Sequence, residues 1–362
     1  MENAVKNWLQ SVQFAEAQVY KNIAIVPLIA PADGTFQYRT LGEALATSDV
    51  AITEVSAAGS VPDLMVVNRA DKPVLLIDGE ELAGAKQNRV LNTSILLKEG
   101  SETRIPVSCT EQGRWSYSSK FFSDSGNLMA YKSRSRKTSS VHSFLEASAG
   151  HKSDQAEVWA GIAELQDKAC APSPTSAMSD VYKAREQDLR KCDEIFKPVA
   201  NQVGLLAFIG GDPAGADLIS LTGAYAKLHA KLVRSYTLEG LLVAPTSPTE
   251  ASERRGKPGE GEPDPKQETP TAETINVRAR QFLDEIAAAE ERQFPSVGYG
   301  TDFRYRHVAS KSPEGGSATP HSIAGTALVH EHELIHAAFF RLDDTEQTDR
   351  MAPYRARFRA RG

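Results

Sequence analysis

The sequence predicts an α+β protein: an antiparallel β-sandwich or half-barrel core, a helical segment and a Pro-rich excursion. Three observations carry that reading. Between residues 20 and 117 short apolar runs are joined by short polar turns, and such connections favour antiparallel pairing because parallel strands need a longer crossover. From 141 to 196 apolar residues recur at helical spacing. Residues 245–271 hold six prolines and almost no apolar side chains, so burial cannot offset the entropy of ordering them and a disordered excursion is expected.

In chain order, residues up to about 18 read as an amphipathic helix carrying Val5, Trp8, Leu9, Val12 and Phe14. Ile23 to Leu28 is a short apolar run, and Leu41 to Ala46 predicts a brief helix. Strands follow at 50–55, 64–68, 74–77, 88–97 and 103–109, punctuated by Ala70-Asp71-Lys72-Pro73, Asp78-Gly79 and Lys98-Glu99-Gly100-Ser101. Residues 121–140, rich in serine with Lys132, Arg134, Arg136 and Lys137, read as a mobile loop leading into helices at 141–149, 154–170 and 177–196. Val203 to Ile209 is a buried strand, Gly210-Gly211-Asp212-Pro213-Ala214-Gly215 a turn, Leu218 to Leu221 its return and Ala224 to Tyr236 a helix. That turn lacks the Lys-Ser/Thr of a phosphate loop and the Gly-x-Gly-x-x-Gly fingerprint, and Pro213 removes an amide a phosphate would need. A helix at 272–292, a Gly-rich segment at 294–306, a polar loop at 309–322 and an apolar stretch at 325–341 complete the order. Residues 1–244 and 272–341 thus form one expected α+β domain, followed by a basic tail at 342–362.

The composition excludes several classes. With 41% hydrophobic and 24% charged residues the chain of 362 can bury a core, yet no run of about 18 apolar residues could span a membrane. A net charge of −6 argues against a broad nucleic-acid surface. Cys109, Cys170 and Cys192 are odd in number and widely spaced, as reduced thiols are. Met1 to Asn7 has neither the basic region nor the apolar run of a signal peptide, so a cytoplasmic location is expected.

Candidate chemistry concentrates in Asp78-Gly79-Glu80-Glu81, followed after two residues by Gly84-Ala85-Lys86-Gln87-Asn88-Arg89. Glu80 and Glu81 are candidate acid/base groups, Gln87 and Asn88 suit an amide or hydroxyl, and Lys86 and Arg89 suit an anion. A solvated turn has the same composition, but two further segments resemble this one. Val107 to Trp115 ends a strand with Glu111, Arg114 and Trp115, and Val297 to Arg306 offers glycines beside Asp302 and Arg304. If the three converge, arginines, carboxylates and an indole frame a pocket suited to a phosphorylated sugar or nucleotide; the same set also suits a structural ion network. Cys109 and Arg114 form C-x4-R, but Glu111 opposes a thiolate and Gly113 is the only glycine, which favours a structural cysteine. His332-Glu333-Leu334-Ile335-His336 is an H-E-x-x-H match. On a helix it would bind zinc for a hydrolase, with Asp343, Asp344 or Glu346 as a distal ligand; the same stretch also reads as a hairpin around a polar tip, which removes the shared ligand face.

The Asp78–Arg89 residues, with Ile105-Pro106-Val107-Ser108-Cys109, Glu111 and Gly113-Arg114-Trp115, resemble the bacterial ARPP domain family, the ARG and rhodanese-phosphatase-superfamily-associated protein domain. The likeness continues through Val203 to Gly211, Leu232 to Tyr236, Ser296 to Gly300 with Asp302 and Arg304, and His336 to Phe339. The resemblance implies an association with ADP-ribosylglycohydrolases and rhodanese-phosphatase enzymes, hence an NAD-derived or ADP-ribose-like ligand, or a role as an accessory module for a partner enzyme. It also sets His336 in a strand without His332, which favours no metal and no cofactor. From their own chemistry Glu80, Glu81 and Glu111 are the candidate catalytic groups, and Lys86, Gln87, Asn88, Arg89, Arg114, Trp115, Asp302 and Arg304 the candidate ligand-binding groups.

Overall fold

Period-two burial builds the larger of two β-structures. Along the run Ile23–Ile29, Ile25 packs to one side and Val26 and Leu28 to the other. Both faces are covered, so the strand reads as continuously apolar. The computed structural model describes residues 4–56, 59–243, 272–307 and 322–342. In it β1 (Gln13–Phe14), β2 (Gln18–Tyr20) and β3 (Ile23–Ile29) join β13 (Gln202–Ile209), β14 (Asp212–Ile219), β15 (Glu290–Pro295), β16 (Thr301–His307), β17 (Ser322–His330) and β18 (Glu333–Leu342). They form a nine-stranded antiparallel sheet of order β1-β3-β13-β14-β18-β17-β16-β15, with β2 also on β3. One face is covered by α1 (Ala4–Ser11) and α8 (Ala272–Ala288), through Val5, Leu9, Ile275 and Phe282. The other is covered by α7 (Thr222–Leu242), through Tyr225, Leu232 and Tyr236.

The second β-structure comprises β4 (Arg39–Thr40), β5 (Val50–Glu54), β6 (Asp63–Asn68), β7 (Val74–Leu76), β8 (Glu80–Gly84), β9 (Arg89–Leu91), β10 (Ile95–Leu97), β11 (Ser101–Cys109) and β12 (Phe122–Leu128). Their sheets run β12-β8-β9-β11-β6-β5 and β10-β7-β4, curling as a half-barrel around Ile52, Leu64, Val66, Leu76, Leu82 and Ile105. α2 (Leu41–Ala46) opens with a capping box between Thr40 and Glu43. The two β-structures meet where Tyr299 bridges Leu96; a Cβ on Gly298 would overlap the Leu96 carbonyl, so this approach requires glycine. α3 (Tyr131–Glu146), α4 (Gln155–Ala169), α5 (Met178–Ala184) and α6 (Glu186–Ile195) pack beside them.

The α+β class, the antiparallel pairing and the half-barrel agree with the sequence. Several boundaries need correction. The stretch 121–140 is not a loop: it holds β12 and most of α3, whose inward side carries Arg134, Lys137 and Thr138 in place of apolar residues. The first helix ends at Ser11, and 88–97 is two strands broken at Asn92-Thr93-Ser94. The turn at 210–215 shrinks to Gly210-Gly211, both at positive φ (63° and 87°) as a two-residue hairpin demands, and the return strand starts at Asp212. The helix expected over 272–292 ends at Ala288, β15 starts at Glu290, and the Gly-rich segment holds only the end of β15 and then β16. The expected excursion at 245–271, all but the last residue of the loop at 309–322, and the basic tail beyond Leu342 lie outside the described residues. Among the described residues no helix is long and apolar enough to cross a membrane.

Candidate functional site

β8, β9 and the end of β11 bring the first two candidate segments together. The chain leaves β8 through Gly84 and through Ala85 at φ 39°, a left-handed conformation that non-glycine residues rarely adopt. Arg114 holds this turn. It donates to the carbonyls of Ala85 at 2.7 Å, Ser116 at 2.9 Å and Gly84 at 3.3 Å. It also reaches Asn88 Oδ1 at 3.1 Å and Glu111 Oε2 at 2.6 Å. Burial would raise the Glu111 carboxyl, but hydrogen bonds from Arg114, Thr175 and the Asn88 N–H hold it below its ordinary range. Arg114 and Glu111 thus fasten the loop that presents Trp115.

Trp115, 48% exposed, and Tyr117, 53% exposed, form an aromatic shelf. The Lys86 ammonium lies 5.3 Å from the Trp115 ring centre and 5.2 Å from that of Tyr117, and the Arg89 guanidinium is 5.6 Å from Trp115. Arg89 is fully buried; Gln87 Oε1 accepts from it at 2.9 Å, and Glu54 lies 3.7 Å away.

Ser118 and Ser119, which follow Tyr117 directly, line an open groove of about 520 Å³ together with Gly84, Asn88, Ser125, Asn127, Tyr182 and neighbouring side chains. Its walls are rich in hydroxyls and amides. Behind Asn127 sits Glu81, buried, accepting from Asn127 Nδ2 at 3.2 Å and Thr110 Oγ1 at 2.9 Å. Burial pushes the Glu81 carboxyl above its ordinary range against these bonds. Glu80, the next residue, belongs to the opposite side of β8. Lys231 on α7 donates to it at 2.9 Å and to both Asp124 oxygens, and the Ile77 N–H donates to Glu80 at 3.0 Å.

Asp302 and Arg304 do not join this assembly; no hydrogen bond or ion pair among the described residues links them to Lys86, Arg114 or Trp115. β16 carries them into a second, buried cluster between the half-barrel, α3 and the large sheet. Arg304 donates to Asp302 at 2.7 Å and Thr93 at 2.8 Å, while His151 Nε2 lies 2.9 Å from Asp302. In the same cluster Arg134 donates twice to Asp217, at 2.7 and 3.1 Å, and Lys137 donates to Asp78 and to the Asn92 carbonyl. Tyr236 donates to Asp217 at 2.7 Å, and His336 Nδ1 is 2.7 Å from Ser94 Oγ. Burial works against the Asp217 charge, but Arg134 more than offsets it and the carboxyl stays far below its usual range. Ser94, His336 and Asp217 superficially form a serine–histidine–acid row. Yet Ser94 already accepts the Asp78 N–H at 2.9 Å, all three are buried, and Arg134 claims Asp217. Arg134, Lys137, Asp217 and Ser94 are not among the sequence candidates; for Arg134 and Lys137 the available signal is their helical spacing in a polar stretch, and for Asp217 its place in a buried, mostly apolar strand.

H-E-x-x-H lies on the hairpin β17–β18. His332 occupies the turn at φ 66°, Glu333 accepts from the Thr35 and Phe36 amides, and His336 is buried in β18. Four residues of strand span roughly 13 Å, too far for two histidines to share a metal, and the helix a zincin requires is replaced by strand. Among the described residues no group of three or more His, Cys, Asp or Glu could hold a metal ion. Cys109 is buried, and burial raises its thiol despite nearby Arg89, so it sits at the strand end as a packed side chain.

The family model described as ARG and Rhodanese-Phosphatase-superfamily-associated Protein domain matches residues 11–340. No curated protein and no solved structure matches the chain.

Proposed function

This chain belongs to the ARG and Rhodanese-Phosphatase-superfamily-associated Protein domain family, and from that premise we propose that it binds an NAD-derived or ADP-ribose-like phosphorylated sugar at the groove and aromatic shelf flanking the Arg114 loop. The observation that carries the proposal is one juxtaposition: a hydroxyl- and amide-lined groove of about 520 Å³ next to two half-exposed rings that share one ammonium. A flat base or the apolar face of a ribose stacks on Trp115 and Tyr117. Lys86, and Arg89 beneath the indole, supply positive charge for phosphate. Asn88, Ser118, Ser119, Ser125 and Asn127 offer paired donors and acceptors to sugar hydroxyls.

The candidate roles narrow accordingly. Arg114 and Glu111 build the loop and leave the ligand to others. Glu80 is spent on Lys231. Glu81 acts through Asn127 as a positioning residue, holding that amide at the groove wall. Asp302 and Arg304 are outside the site. The activity assigned is binding.

A second reading has its own support: Phe121, 49% exposed, and Val61, 44% exposed, stand with Trp115 and Tyr117 among the exposed large apolar side chains, a composition that also suits protein docking. Calorimetric titration of the full chain with ADP-ribose, NAD and ribose 5-phosphate separates the two. Ligand binding gives saturable heat with at least one of them, weakened strongly in Trp115→Ala and also in Lys86→Ala. Absence of heat with all three sinks the small-ligand reading and leaves the docking surface.

A further inference from the structure

The buried cluster that received Asp302 and Arg304 holds more hydrogen-bond donors than acceptors at one point. Arg304 is fully buried and uses only its NH2 group, on Thr93 and Asp302. Its Nε and NH1, carrying three N–H bonds, have no partner among the described residues. Above β16, the α3 side chains Thr138 and His142 likewise have Oγ1 and Nε2 without a hydrogen-bond partner, although the Glu146 carboxylate stands 3.6 Å from that Nε2. Thr138 and His142 are one helical turn apart and so face the same way. β16 is tied to this helix by Arg306, which reaches Ser143 Oγ at 3.4 Å, and Arg306 lies two residues from Arg304 on the same face of the strand. The positive charge here is felt by its neighbours: burial, then Arg306 and Arg304, push His142 down to about 3. Burial, with Arg134 and Arg304 also opposing the charge, brings Lys137 down to about 8 despite its bond to Asp78.

A buried guanidinium with three unmade N–H bonds is costly. One water accepts about two hydrogen bonds, fewer than Arg304 alone leaves open. The formal charges of Arg134, Lys137 and Arg304 already balance those of Asp78, Asp217 and Asp302, so any anion adds buried charge and a single charge adds the least, which disfavours a multiply charged oxyanion. We propose that a single small monovalent anion, of the halide class, is held by Arg304 against the Thr138–His142 face of α3. The anion completes the guanidinium's bonds and pins β16 to α3. The site is separate from the groove and independent of the sugar-phosphate reading.

The test uses the full chain, melted at fixed ionic strength while gluconate is replaced by chloride or bromide. The melting temperature rises saturably with either halide, by about 2 °C or more, and Arg304→Met removes the dependence. Should Arg304→Met fail to fold, crystals grown in bromide decide, by an anomalous peak beside Arg304 Nε and NH1. Equal melting in halide and gluconate, or crystals with water alone beside Arg304, overturns the proposal.

Discussion

Two polar regions of this protein are built from similar residues and behave as opposites. Around the shelf, Lys86 and Arg114 come from two adjoining loops and the buried Arg89 from the start of β9, and the rings beside Lys86 stand half in solvent. In the buried centre, Arg134 on α3 pairs with Asp217 on β14, 83 positions along the chain, and both side chains are fully enclosed. Where partners come from distant elements and water is shut out, charge determines how layers dock. Where rings and an ammonium stay open, the same chemistry remains for a ligand. The difference lies in which elements meet over each cation, which composition does not report.

Removing one partner breaks the comparison most directly. Arg134→Ala leaves Asp217 buried and without its bidentate cation, and a loss of about 3–5 kcal/mol is expected from the urea midpoint. Lys86→Ala at the shelf should cost less than about 1 kcal/mol. Equal losses would mean that the shelf is structural too.

A pH series sharpens the same contrast. Glu239 on α7 is buried and accepts the Lys132 N–H at 3.1 Å at the start of α3, and burial raises its carboxyl to about 7, with Lys132, Lys168 and Arg136 working the other way. The folded state therefore keeps a proton that the unfolded chain releases. The associated stability is fully present below the ordinary value of 4.5 and is lost as pH rises to about 7. Glu239→Gln retains the acceptor oxygen and should flatten this slope, gaining on the order of 2 kcal/mol at neutral pH. Denaturant melts of both proteins across pH 4–8 read the effect; parallel curves would contradict it.

The outcome for sequence reading follows the same division. Ile23–Ile29 and Val203–Ile209 were legible as strands because apolar side chains fill both of their faces. α3 was legible only in its last turns, from 141, because a helix whose inward side is Arg134, Lys137 and Thr138 has the periodicity of a core helix and the composition of a loop. The grouping of 80–89 with 111–115 was foreseeable, since a short connection makes β8 and β9 neighbours and β11 pairs with β9. The departure of Asp302 and Arg304 was not, since it depends on β16 pairing inside a sheet whose order jumps from β3 to β13. H-E-x-x-H carries no conformation by itself, and Glu331 and His332 at positive φ turn it into a hairpin tip.

At the shelf, a ring deletion should change recognition and leave folding nearly untouched. Trp115→Ala is expected to weaken ADP-ribose binding about 10- to 100-fold, the worth of one stacked base, with a melting temperature within about 1 °C of wild type because the indole is half exposed. A large fall in stability would instead place Trp115 with the structural residues, as a cover over Arg89.

The smallest effect separates two neighbours in sequence. Glu80 and Glu81 differ by the face of β8 they occupy. Glu80 accepts from Lys231 and from the Ile77 N–H, so an amide in its place turns one acceptor into a donor that faces a donor. Asp124 still holds Lys231, which limits the cost of Glu80→Gln to about 1–2 kcal/mol. Glu81 is buried where its charge is disfavoured, and Thr110 can rotate its hydroxyl from donating to accepting. Glu81→Gln should therefore lie within about 0.5 kcal/mol of wild type while disturbing Asn127 enough to weaken ligand binding a few-fold. Measured side by side, the pair should split, with Glu80→Gln losing stability and Glu81→Gln losing affinity. If both lose only stability, Glu81 is part of the frame and the groove recognises its ligand without help from behind its wall.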